Sequence, residues 1–147
     1  MLKVFICGGS GYTGSELLRI LALHDEVEIT GVTSEKSAGI AVSELFPAFF
    51  VYKDLKFEPL QIENIKHRAD LYFLALPHGK SQEIGAFLFD TGARVIDLSA
   101  DFRIKDVRTY ETWYKISHFY PTLLQEAVYG LPELYREKIK TARLVVN

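Results

Sequence analysis

Short, continuously apolar runs alternate along this chain with segments whose apolar residues recur at helical spacing. The runs occupy residues 2–7, 28–33, 70–75 and 94–98, and 143–146 reads as a fifth. In Leu71-Tyr72-Phe73-Leu74-Ala75 the hydrophobicity is continuous rather than alternating. That suits a strand covered on both faces, as in a parallel sheet. Between the runs, Leu17, Ile20, Leu21 and His24 follow Thr13 at helical spacing, and Ile84, Phe87 and Leu88 follow Ser81. Each set is expected to pack on the sheet. Alternation of strand and helix predicts an α/β fold. Residues 100–132 are less regular and rich in aromatics, and are expected to form a long excursion between two strands. No internal repeat, low-complexity tract or linker interrupts the chain, so one domain over 1–147 is expected.

The junction of the first strand and first helix carries Gly8-Gly9-Ser10-Gly11-Tyr12-Thr13-Gly14, with Gly8, Gly11 and Gly14 in a G-x-x-G-x-x-G pattern. A chain that turns sharply there can bring backbone N–H groups to a pyrophosphate, whose charge the helix N-terminus favours. Gly14 would let the helix pack closely. A branched side chain at Gly11 would intrude on the pyrophosphate and strain the backbone. A glycine-rich turn without a ligand is the plainer alternative. The order strand, glycines, helix, strand favours dinucleotide binding on a Rossmann-type doubly wound parallel sheet. Gly8, Ser10, Gly11, Tyr12, Thr13 and Gly14 are the candidate contacts. Cys7, at the strand end, reads as a small buried hydrophobe rather than a nucleophile, since no neighbouring base would activate it.

Ribose specificity is decided at the end of the second strand, where the sequence is Thr33-Ser34-Glu35-Lys36. An acid at the strand tip would accept a ribose 2′-hydroxyl and repel a 2′-phosphate. Hydroxyls of Thr33 and Ser34 with the Lys36 cation favour phosphate, which predicts NADP. Glu35 turned inward would favour NAD instead, and Lys36 as a solvated loop residue is the other alternative.

A net charge of −2, with the basic residues scattered, gives no electrostatic footprint for nucleic acid or an anionic membrane surface. No run reaches the roughly 18 apolar residues of a membrane helix, and the N-terminus lacks a signal-peptide pattern. A single cysteine removes the case for a secreted disulfide scaffold. A cytoplasmic protein with a small-molecule ligand is expected.

Five motifs in order then give a resemblance. They are the glycine segment, Thr33-Ser34 with Ala38-Gly39, Ala75-Leu76-Pro77-His78-Gly79, Asp97-Leu98-Ser99-Ala100-Asp101-Phe102-Arg103, and Tyr129-Gly130-Leu131-Pro132-Glu133-Leu134. Together they resemble the N-acetyl-gamma-glutamyl-phosphate reductases and their relatives in the aspartate-semialdehyde dehydrogenase superfamily. The resemblance implies NADPH-dependent reduction of a small acyl phosphate to an aldehyde in arginine biosynthesis, by an enzyme that is a homo-oligomer at full length. A cysteine thiolate attacks the acyl phosphate in that family, hydride reduces the resulting thioester, and a histidine serves as acid and base.

By the same resemblance Arg103 contacts the substrate phosphate, Ser99 lines the nicotinamide side, and Leu76, Pro77 and His78 shape the cofactor loop. A mutual ion pair of Asp101 and Arg103 is the blander alternative. The family's cysteine would follow Asn147, so this chain is expected to bind cofactor and to lack the catalytic residues. An aminoadipyl-phosphate or aspartyl-phosphate reductase, and a non-catalytic NADP-binding module, are the other readings. The runs 99–103 and 129–134 argue against the aspartyl case.

Overall fold

The computed structural model describes all residues, Met1–Asn147, which divide into two compact units, Met1–Ala75 and Leu76–Asn147. The first unit contains β1 (Leu2–Cys7), α1 (Tyr12–Leu21), β2 (Val27–Thr33), α2 (Val42–Leu45), a 3-10 helix (Pro47–Tyr52), β3 (Phe57–Glu58), α3 (Ile62–Ile65) and β4 (Leu71–Leu74). Its strands lie in the order β3-β2-β1-β4, every pairing parallel. Because β1 is flanked on both sides, with Ile6 opposite Val32 and Phe73, Val4 to Cys7 are fully buried. Continuous apolar sequence is what such a position requires.

Val4, Ile6, Leu18, Val32, Val42 and Phe57 form the core of this unit. Helix α1 presents Gly14, Leu17, Leu18 and Leu21, the true i, i+3, i+4, i+7 face. The expected face is thus corrected at two positions. Ile20 is half exposed, and His24 lies exposed beyond the helix end, where the helical period no longer applies.

Between β2 and β4, Arg68 donates to both oxygens of Glu58 (2.7 and 2.9 Å) and to the Thr30 carbonyl (3.2 Å), over the Phe5 ring. Gly31 leaves that ring its space, since a Cβ there would stand 2.2 Å from Phe5 Cε2.

The second unit contains α4 (Ser81–Asp90), β5 (Arg94–Asp97), α5 (Val107–Tyr114), α6 (Pro121–Glu126), β6 (Val128–Tyr129), α7 (Pro132–Thr141) and β7 (Leu144–Val146). Its strands run parallel in the order β5-β7-β6. Ile84 and Leu88 of α4 are buried as expected. The expected irregular excursion instead contains α5, α6 and β6. Asp106 caps α5 by accepting from Thr109 N (2.8 Å), and the helix ends at Lys115 in the left-handed conformation (φ 57°). Proline opens both α6 and α7, where its missing N–H has no cost. No helix of the chain is long and apolar enough to cross a membrane.

Candidate functional site

In the first unit the chain leaves β1 through Gly8, whose φ of 90° excludes most side chains. Gly8 N donates to Thr33 Oγ1 (3.0 Å) and Gly9 N to the Thr33 carbonyl (2.8 Å), so the loop is tied to the end of β2. Helix α1 then closes on the loop at Gly14. A Cβ at that residue would lie 2.2 Å from the Gly8 carbonyl oxygen and 2.6 Å from Gly9 Cα.

Gly11 is the N-cap of α1, with φ −78° and ψ 172°, extended backbone that any residue adopts. A Cβ there would meet nothing nearer than the Gly8 carbonyl oxygen at 4.0 Å. The expectation of backbone strain at Gly11 is therefore wrong; the close approach is at Gly14. The first i→i+4 bond of the helix runs from Ser15 N to Gly11 O (2.8 Å), and the helix has neither a side-chain cap nor an acidic residue in its first turn. The N–H groups of its opening turn thus form a positive, uncapped terminus behind a glycine loop. Such a terminus fits a pyrophosphate. Tyr12 and Thr13 have exposed side chains beside it.

At the end of β2, Ser34 Oγ lies 2.6 Å from Ser10 Oγ and accepts from Ser37 N (3.1 Å). Thr33 is buried and its oxygen accepts from Gly8, so its hydroxyl braces the loop instead of being presented to a ribose phosphate. Lys36 is exposed. Glu35, the residue that would favour NAD, accepts from Leu60 N (3.0 Å). Cys7 is fully buried, and burial, with Glu58 nearby, pushes its thiol up to about 12. It is no thiolate at neutral pH.

The second unit carries a buried polar cluster. Asp97 accepts from Ser99 N (3.0 Å) and Ser99 Oγ (2.9 Å), and burial raises its carboxyl above the usual range against those bonds. Ser99 Oγ also accepts from Asp101 N (3.1 Å), and the residue is only 2% exposed. Its hydroxyl is thus part of the loop's scaffold. Asp101, fully buried, accepts from Gly79 N (2.7 Å), Ser81 N (2.9 Å) and the Tyr110 hydroxyl (2.8 Å).

His118 donates from Nε2 to the Asp101 carbonyl (2.7 Å) and accepts at Nδ1 from Tyr120 N (3.2 Å). A carbonyl only accepts and an amide only donates, so the ring is the neutral Nε2–H tautomer. Burial lowers its pKa, outweighing Asp101 and Glu111. His78, exposed, accepts at Nδ1 from Ala100 N (3.2 Å). Leu76 is half-buried and Pro77 exposed in the same segment.

Arg103 is exposed and donates from Nε and Nη2 to the main-chain oxygen of Asn147, the last residue (2.8 and 2.6 Å). The alternative of an Asp101–Arg103 ion pair is thereby overturned: the carboxylate is buried on donors from residues 79, 81 and 110, while the guanidinium points to backbone.

Residues 3–142 match the family described as semialdehyde dehydrogenase, NAD binding domain. The chain belongs to this family. Among relatives of this NAD-binding domain, the N-acetyl-gamma-glutamyl-phosphate reductase of Saccharophagus degradans is 54% identical over 145 residues, covering 99% of this chain and 42% of the relative. The [LysW]-L-2-aminoadipate/[LysW]-L-glutamate phosphate reductase of Sulfurisphaera tokodaii is 46% identical over 147 residues, again 42% of its length. The chain therefore spans less than half the length of these curated relatives. A crystal structure of aspartate semialdehyde dehydrogenase with NADP from Candida albicans superposes on all of this chain with a TM-score of 0.68 at 16% identity, covering 43% of that chain. At that identity the likeness shows the Rossmann-type α/β fold alone.

Sequence reasoning located the glycine loop of this NAD-binding domain and the β2 end, but not Asp101 as a hub, nor His118, Gln82 or Tyr110 around it. Gln82, also buried, donates to the Ser117 carbonyl (3.0 Å) and accepts from Phe119 N (3.0 Å). No local signal marks Gln82 or His118, since Gln82 stands among Lys80, Ser81 and Glu83 and His118 follows Ser117, and their buried partners come from distant parts of the chain.

Proposed function

We propose that this chain binds NADP(H) and forms the cofactor-binding part of an N-acetyl-gamma-glutamyl-phosphate reductase. The observation that carries the reading is the uncapped N-terminus of α1 behind the glycine loop, closed by contact at Gly14. Gly8, Gly11, Tyr12, Thr13 and Gly14 would hold the pyrophosphate through backbone N–H groups. Ser10, Ser34 and Lys36 would take the 2′-phosphate. Thr33 supports them by fixing Gly8. Glu35 engages Leu60 N, which supports NADP over NAD.

Within the second unit, Leu76, Pro77 and His78 are the proposed cofactor-loop residues, and Ser99 acts through the loop it scaffolds. Arg103 is the group for the substrate phosphate: its Nη1 protons remain available for a charge-assisted bond. The bound nicotinamide would supply hydride for reduction of an acyl group to an aldehyde. Homo-oligomeric assembly and a cytoplasmic location belong to the same proposal. Reduction of an aminoadipyl phosphate is the second reading, favoured by the Sulfurisphaera tokodaii relative at 46% identity.

The test is calorimetric titration of both cofactors into wild type and Lys36→Ala. NADP is expected to bind more tightly than NAD, and Lys36→Ala to weaken NADP by about 1–2 kcal/mol, the size of a partly exposed charge-assisted contact, with NAD nearly unchanged. Equal affinities in wild type would remove the specificity, and a parallel loss for both would place Lys36 elsewhere.

A further inference from the structure

Arg103 is an exposed guanidinium on a loop, a placement that ordinarily costs conformational entropy when an anion is gripped. Two residues earlier, the loop is held at every polar group Asp101 possesses. Its N–H donates to Ser99 Oγ and its carbonyl accepts from His118 Nε2. Its two carboxylate oxygens together accept from Gly79 N, Ser81 N and Tyr110 Oη. Two of those donors belong to the turn that opens α4, whose terminus favours negative charge. Phe102, between the two residues, is fully buried against the His118 ring, 5.5 Å centroid to centroid. Arg103 N then closes the turn on the Ala100 carbonyl (3.2 Å).

Only a carboxylate satisfies this point. Three donors converge on it, whereas an amide would turn its own NH2 toward one of them and alanine would leave all three unpartnered. We propose that Asp101 is a positioning residue: by fixing its loop to the turn opening α4 it sets the backbone from which the Arg103 guanidinium, resting on the Asn147 and Ser99 main-chain oxygens, reaches a phosphate. It touches no reacting atom. This rests on the reading of Arg103 as the phosphate-binding group. Preorganisation lowers the ordering cost of each bond Arg103 then makes.

The test uses inorganic phosphate as the probe, titrated into the purified protein in the presence of NADPH, with thermal unfolding recorded on each variant. Asp101→Asn is expected to weaken phosphate roughly tenfold and Tyr110→Phe less, the scale of losing bonds to a charged group. Leu124→Ala, a fully buried core residue of the same unit, is expected to lower stability with phosphate affinity unchanged. Arg103→Ala should abolish phosphate binding.

Wild-type phosphate affinity in folded Asp101→Asn and Tyr110→Phe, with Arg103→Ala inactive in binding, would overturn the positioning role alone. Wild-type affinity in Arg103→Ala would instead overturn the reading of Arg103 beneath it. A loss in Leu124→Ala matching that of Tyr110→Phe at equal stability would reduce Asp101 to a structural role. Should Asp101→Asn fail to fold, Tyr110→Phe, which removes a single donor, decides the matter.

Discussion

Gly11 and Gly14 sit one helical turn apart, yet a methyl group meets open space at the first and backbone at the second. Gly14→Ala is expected to destabilise the chain by about 1–3 kcal/mol, as overpacking against atoms that cannot rotate away does. Gly11→Ala should unfold within a degree or two of wild type. Thermal denaturation of the pair checks this, and equal losses would contradict the geometry at Gly14. His118 gives a pH dependence of definite sign. Burial holds its folded pKa below the ordinary histidine value, so the unfolded chain binds the proton more readily. Its contribution is complete above about pH 6.5 and is lost as pH falls from there through the lower folded pKa. His118→Gln should flatten the fall in melting temperature between neutral pH and about pH 5. An unchanged slope would show that the ring is not held neutral.

Among the elements, those with a sequence signal of their own were legible and those defined by their partners were not. Continuous apolar runs gave β1, β2, β4, β5 and β7 within a residue or two at each end. Strands β3 and β6 are two residues each, too short for any periodicity, and exist through pairing with β2 and β7. Helix α5 was hidden because its aromatics, Tyr110, Trp113 and Tyr114, are weak helix formers, although Asp106 and Thr109 mark its start. Removing that mark is informative: Asp106→Ala should cost about 1 kcal/mol in chemical denaturation, the usual worth of an N-cap. No change would mean that packing alone holds α5.

The glycine loop was readable for the same reason as the long strands, since its residues act on their immediate neighbours. Asp101 was not, because its donors come from residues 79, 81 and 110. Thr33 and Ser99 show a related limit. A hydroxyl is visible in sequence, but whether it faces a ligand or a backbone N–H is a tertiary fact.

Across the whole molecule, an NAD-binding domain lies in a chain of 147 residues whose only thiol, Cys7, is buried and protonated. The relatives this chain matches are more than twice its length. The proposed contribution of the chain to a reductase is cofactor capture at the α1 terminus. Amide NMR of the 15N-labelled protein during titration with NADP addresses it residue by residue. Saturable shifts are expected to concentrate at Ser10 to Gly14 and at Ser34 to Lys36, with NAD reproducing the first set more weakly and not the second. Saturable binding that leaves the amides of Gly11 to Gly14 unmoved would contradict capture at the α1 terminus, as would the absence of saturable binding.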